Sequence, residues 1–224
     1  MRRVLFSTIS SLALAAAVGT AMAADIPRPM PTKAAPVYVP FNWTGLYLGL
    51  NGGYGWGRSS FDGVPSTGSF DVDGWLFGIT AGYNWQPVGS AWVVGLEGDI
   101  NWTNIRGSAV CGTAICDTRN RWLGTVRGRV GVAVDRFLPY FTGGLAFGDI
   151  QANATGAPGA SATKAGWTIG GGVEWNVAGP WSAKVEYLYV DLGKFDCGIS
   201  CGGTAPDNVS FRTSIIRAGV NYRF

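Results

Sequence analysis

From residue 43 to the end of the chain, apolar and polar positions alternate with a period of two. That is the spacing of a strand with two unlike faces. There is no 3.6-residue apolar periodicity and no uninterrupted apolar run of about 20 residues, the length a spanning helix needs. The alternation is clearest over 44–57, 73–86, 91–104, 121–134, 138–150, 164–177, 181–193 and 211–224, which predicts eight strands. Each is long beside the usual globular length of about 5–6 residues. Their connections alternate as well: 86–90, 134–138 and 176–180 are short, whereas 57–71, 105–120, 151–163 and 194–210 read as long polar loops. Short turns at one end and long loops at the other predict an up-and-down antiparallel arrangement with both termini on the short-turn side. Eight strands suffice to close it into a barrel and remove its edges.

Sorting each strand by parity separates the chemistry. One face carries Leu46, Leu48, Leu50, Trp75, Phe77, Trp92, Leu96, Val126, Phe141, Trp167, Tyr187 and their like, and the stretches these residues span hold no charge on it. The other carries glycine and small polar residues together with Glu97, Asp99, Arg127, Arg129, Glu174, Lys184, Glu186, Arg217 and Arg223. Alternation alone does not say which face is outside, and a soluble barrel would put the apolar one within. Volume decides. The apolar face carries nine of the ten tryptophans, and they cannot fit inside eight strands, where side chains barely find room. The aromatic face therefore points outward and needs lipid. Trp75 and Trp85 lie ten residues apart, as do Trp92 and Trp102; at a tilt near 40° ten residues rise about 25 Å, the apolar height of an outer-membrane barrel with an aromatic girdle at each rim. The expected fold is an all-β, eight-stranded, antiparallel transmembrane barrel, with short periplasmic turns and long extracellular loops.

Composition adds limits. Charged residues are only 14% of the chain, against about 25% in ordinary soluble proteins, and the net charge is +3. That charge is too small and too dispersed for a nucleic-acid surface. Histidine is absent, which removes His general bases, Ser–His and Cys–His nucleophile pairs and most zinc or haem ligation. No carboxylate pair, nucleophile elbow or phosphate loop stands out, so neither catalysis nor a cofactor is expected. Arg2 and Arg3 precede an apolar stretch, and Ala21-Met22-Ala23 fits the small-x-small rule, so residues 1–23 read as a signal peptide. Residues 24–42 form a linker: five of the chain's eleven prolines fall within 27–40, a density that favours extended polyproline II and a reach on the order of 40 Å. The barrel occupies 43–224. Export favours disulfides. Cys111, Cys116, Cys197 and Cys201 allow three connectivities; local pairing within each loop is expected, with loop-to-loop bridging as the alternative.

The segments FNWTGLYLGLNGGYGWG (41–57), RWLGTVRGRVGVAVDRFLPYFTGGLAFGD (121–149), KVEYLYVDLG (184–193) and IIRAGVNYRF (215–224) resemble the alphaproteobacterial outer-membrane family of Omp25/Omp31 type, the porin-family surface antigens. The resemblance implies a small surface-exposed barrel that supports envelope integrity. It also makes Val220, Tyr222 and Phe224 look like the carboxy-terminal signal read by the outer-membrane assembly machinery. In related barrels a mature Ala-Asp terminus is joined to peptidoglycan through the alanine amine, which marks Ala24 as a candidate attachment point. The partners implied are outer-membrane lipid and lipopolysaccharide, the assembly machinery and, through Ala24, peptidoglycan. Two other roles are open: a narrow porin, or a surface receptor for haem or another ligand through the loops. A haem ligand would have to be Tyr, Met or Cys, and none is singled out. Against a porin stands the inward charge set, with Glu97 and Asp99 on the third strand beside Arg127 and Arg129 on the fourth. Such charges are expected to interlock as a plug, since an unpaired charge in a confined interior is costly.

Overall fold

A computed structural model describes residues 41–62, 68–111, 114–154, 160–196 and 208–224. The signal peptide and linker lie outside the described residues. So do Cys197, Cys201 and the side chains of Cys111 and Cys116, and with them the disulfide expectation.

The strands are β1 (Gly45–Asp62), β2 (Gly68–Trp85), β3 (Trp92–Cys111), β4 (Ala114–Val132), β5 (Phe137–Ala154), β6 (Ala160–Ala178), β7 (Trp181–Asp196) and β8 (Asn208–Arg223). Each pairs antiparallel with its neighbours in sequence, and β8 pairs with β1 to close the barrel. All main-chain donors and acceptors along the wall can therefore be satisfied between strands, as a backbone in lipid requires. The short turns use the conformations that tight reversals need, with positive φ at Gly89, Asp135 and Gly179.

Strand length differs from the expectation. The strands run 16 to 20 residues, so most of 57–71, 105–120 and 151–163, and both ends of 194–210, are paired wall rather than loop. Ser60 still pairs with Ser69, and Cys111 with Ala114. The physical reason is that above the membrane the outer face meets water and carries residues such as Arg58, Arg106 and Arg119, while Ser59, Ile105 and Thr118 are buried within. Apolar–polar alternation then fades while the backbone ladder continues.

The two faces separate as parity predicts. Trp75 is 71% exposed and Phe141 76% on the bare chain, whereas Glu97, Arg127, Lys184 and Arg217 are all at 3% or less. Trp56, Trp75, Trp102, Trp122 and Trp167 stand on the outer wall toward the long-hairpin end, and Trp85, Trp92, Trp175 and Trp181 toward the short-turn end. Tyrosines reinforce both belts: Trp167 lies 5.5 Å from Tyr189, and Trp181 5.1 Å from Tyr222.

Candidate functional site in the barrel interior

The interior is stratified. At the short-turn end, Trp43, Val93 and Leu138 form a small apolar cluster with Phe41 and Ala133 against it. Phe41 and Trp43 meet edge to face at 5.0 Å. Above them lies the charged layer. Toward the long hairpins, Val72, Leu76, Ile105, Leu123, Ala146, Ile150, Leu188, Val190, Leu192, Phe211 and Ile215 pack into a continuous apolar core.

The charged layer is built from β3, β4, β6, β7 and β8. Register places Glu97 opposite Arg127, and Glu186 opposite Arg217. Arg127 Nη2 lies 2.5 Å from Glu97 Oε1 and 2.9 Å from Asp99 Oδ2, and its Nη1 reaches Glu186 Oε1 on β7 at 3.1 Å. Arg217 holds both oxygens of Asp99, at 3.0 and 2.9 Å, while its Nε donates to Glu186 Oε2 at 2.7 Å. Lys184 Nζ donates to Glu97 Oε2 at 2.7 Å, joining β7 to β3 across the lumen. Arg129 pairs with Glu174 at 2.9 Å. Forked guanidinium–carboxylate contacts of this kind are the strong, directional ones.

Neutral donors complete the layer. The Tyr47 hydroxyl donates to Glu97 at 2.7 Å, Tyr140 to Glu186 at 2.9 Å, Thr125 to Asp99 at 2.7 Å, and Ser182 and Asn221 to Glu174 at 2.6 and 2.9 Å. Arg129 also stacks on Tyr140, 3.9 Å from the ring centroid. Glycine makes room for these tyrosines. A Cβ on Gly82 would strike the Tyr47 ring, and one on Gly172 would lie 3.0 Å from the Tyr140 hydroxyl. Each carboxylate here is taken up by cations and hydroxyls. Among the described residues no group of three or more acidic or Cys side chains could hold a metal.

Of the nine charges assigned to the interior, the structure brings eight together. Arg223 is the correction. It shares their parity but sits at the short-turn mouth, its guanidinium 4.2 Å from the Phe41 centroid and 5.1 Å from that of Trp43, with Nη1 donating to Asn42 O at 3.2 Å. Parity sets the face, not the depth. Without Arg223 the layer holds four acids (Glu97, Asp99, Glu174, Glu186) and four bases (Arg127, Arg129, Lys184, Arg217), and is neutral. Val220, Tyr222 and Phe224 lie outside on β8 and just past its end, Phe224 at 73% exposure with its N–H donating to Leu46 O at 2.9 Å. The residues that parity missed are Tyr140 and the upper apolar core. Tyr140 has the inward spacing of Leu138 and Thr142, a signal that was available.

A closed antiparallel barrel with a lipid-compatible outside and an ion-paired polar layer inside is a transmembrane β-barrel of the bacterial outer-membrane class. The chain matches the outer membrane protein beta-barrel domain family over residues 11–224. It is 39% identical to the 31 kDa outer-membrane immunogenic protein of Brucella melitensis, covering 92% of this chain and 94% of that one. It is 33% identical to the 25 kDa outer-membrane immunogenic protein of Brucella canis over the full length of both. Among solved structures, Neisserial surface protein A aligns with a TM-score of 0.49 at 15% identity, over 81% of this chain and 98% of that one. The protein belongs to the Omp25/Omp31-type family of outer-membrane β-barrel surface antigens, and its place is the outer membrane.

Proposed function

We propose that the protein is a structural, non-conducting barrel that stiffens the outer membrane and presents its long hairpins at the cell surface. The observation that carries this reading is the neutral eight-charge layer, closed on one side by Phe41 and Trp43 and on the other by the apolar core. A solute path would have to break several buried ion pairs and then wet an apolar zone, each strongly unfavourable. Refolded into planar bilayers, the full chain is expected to give no discrete current steps under an applied voltage. Well-defined, reproducible openings would make it a narrow porin instead.

The amino-terminal segment adds a tether. Trp43 is buried within the short-turn mouth and its main-chain N–H donates to Gln86 Oε1 at 2.8 Å. Phe41 and Trp43, among the first residues described, thus lie at the short-turn end, the side on which a tether through the Ala24 amine to peptidoglycan would begin. Muramidase digestion of sacculi is expected to release Ala24-containing peptides carrying a mucopeptide mass. A free Ala24 amine on every recovered copy would sink the tether and leave the barrel's role intact.

A further inference from the structure

The outer wall near the long-hairpin end carries an arrangement that the interior does not need. The registers of β3 with β4 and of β4 with β5 both slip at one level, between Trp102 and Ile105 and between Asn120 and Leu123. Asn120 and Leu123 face inward and are buried, so Arg121 and Trp122, adjacent in sequence, fall between them on the outer side. Bulges commonly re-aim a side chain in this way. Arg121 lies with Ile100, Trp102 and Trp122 around a surface depression. One step higher, Arg106 and Arg119 are direct cross-strand partners, and both are exposed.

Like charges directly opposite on a sheet repel. Other outer arginines at this height are compensated: Arg58 lies 3.6 Å from Asp71, and Arg212 lies 3.1 Å from Asp191. Arg106, Arg119 and Arg121 have no ion pair or hydrogen bond among the described residues. Asp73 stands opposite Arg106 across β2 and β3 but makes no ion pair with it, and it accepts the Tyr54 hydroxyl; Asp149 accepts the Gln151 amide. Below the cluster the outer face of β4 continues through Gly124, where a Cβ would meet nothing closer than 3.5 Å. Packing does not demand glycine there, and the position presents no side chain to the lipid-facing wall beside Ile100, its cross-strand partner.

We propose that Arg106, Arg119 and Arg121 bind the phosphates of a phosphorylated glycolipid of the outer leaflet, with one acyl chain in the groove beneath Trp102 and Trp122. Three clustered guanidinia match phosphate oxygens in charge and in their forked donor geometry. They stand just beyond the aromatic belt, the depth at which headgroups lie. The site rests on the outer-membrane placement with the β3–β4 hairpin outermost.

The test uses the refolded full chain in zwitterionic micelles, titrated with bis-phosphorylated lipid A, phosphate-free lipid A and inorganic phosphate, and read by native mass spectrometry and calorimetry. One bis-phosphorylated lipid is expected per barrel. The R106Q/R119Q/R121Q variant is expected to bind it about 100-fold more weakly, while R58Q/R212Q stays within about twofold. Phosphate-free lipid A should bind no better to wild type than bis-phosphorylated lipid A does to the triple variant. Equal binding of bis-phosphorylated lipid A to wild type and triple variant overturns the site. So does equal affinity for the phosphate-free lipid, which would leave an acyl groove only, or for inorganic phosphate, which would leave a simple anion site. Should the triple variant not fold, Arg121→Gln alone carries the test, with about a tenfold loss expected. Protease accessibility of the hairpins on intact cells reports the outer-membrane placement independently of these outcomes.

Discussion

Replacing Arg217 with alanine is expected to destabilise the barrel by about 3–5 kcal/mol, the range for removing one partner of a buried ion pair. Arg217 bridges two carboxylates with three hydrogen bonds. It holds both oxygens of Asp99 and one of Glu186, and it is 2% exposed. Its removal leaves two carboxylates sharing Arg127 in a space that water does not freely enter. The unfolding midpoint in denaturant, or the temperature at which the folded form disappears on an unboiled gel, reads the loss. Asp99→Asn added to Arg217→Met should recover part of the loss seen with Arg217→Met alone, because it removes one of the stranded charges. A change within about 0.5 kcal/mol for Arg217→Ala would place the layer among ordinary surface pairs and defeat the assignment.

The second large effect concerns conduction, and two barriers in series determine it. Neutralising Arg127 and Arg129 to glutamine should weaken the barrel yet leave it electrically silent. The apolar zone holding Leu76, Leu123, Leu188 and Phe211 still lies between the loosened layer and the outside. A constriction lined by such side chains excludes water and therefore ions. Adding Leu76→Ser and Leu188→Ser to the two arginine changes is expected to yield discrete openings, and the serine changes alone none. Current steps from the arginine changes alone would show that charge pairing is the whole barrier.

Much of this was legible in the chain because lipid enforces a rule that the interior of a soluble protein does not. Every outward residue across about 25 Å of membrane must be apolar, so charges such as Glu97/Asp99 and Arg127/Arg129 expose the inner face by their parity. Three things were hidden for physical reasons. Along Tyr187-Leu188-Tyr189-Val190 both faces are apolar, so alternation has no contrast and the upper core does not announce itself. The bulge between Asn120 and Leu123 changes the parity midway along β4, which is why Arg121 and Trp122 both lie outside although they are adjacent. Arg223 obeys the pattern, yet it lies at a strand end where aromatic rings from outside the pattern capture it. Periodicity reads direction along a strand, whereas pairing depends on height.

The charge layer also bears on how such a barrel is completed. Taken strand by strand, β3 contributes Glu97 and Asp99, β4 contributes Arg127 and Arg129, β6 contributes Glu174, and β7 contributes Lys184 and Glu186. The first two cancel each other as a hairpin. β6 and β7 together leave one negative charge unmatched. Arg217 on β8 supplies the remaining positive one, so an unfinished wall carries a surplus anion until its final strand arrives. That strand thus turns an aromatic ring, Tyr222, toward lipid and a counter-ion, Arg217, toward the lumen. Sealing the seam between β8 and β1 and neutralising the interior are one event.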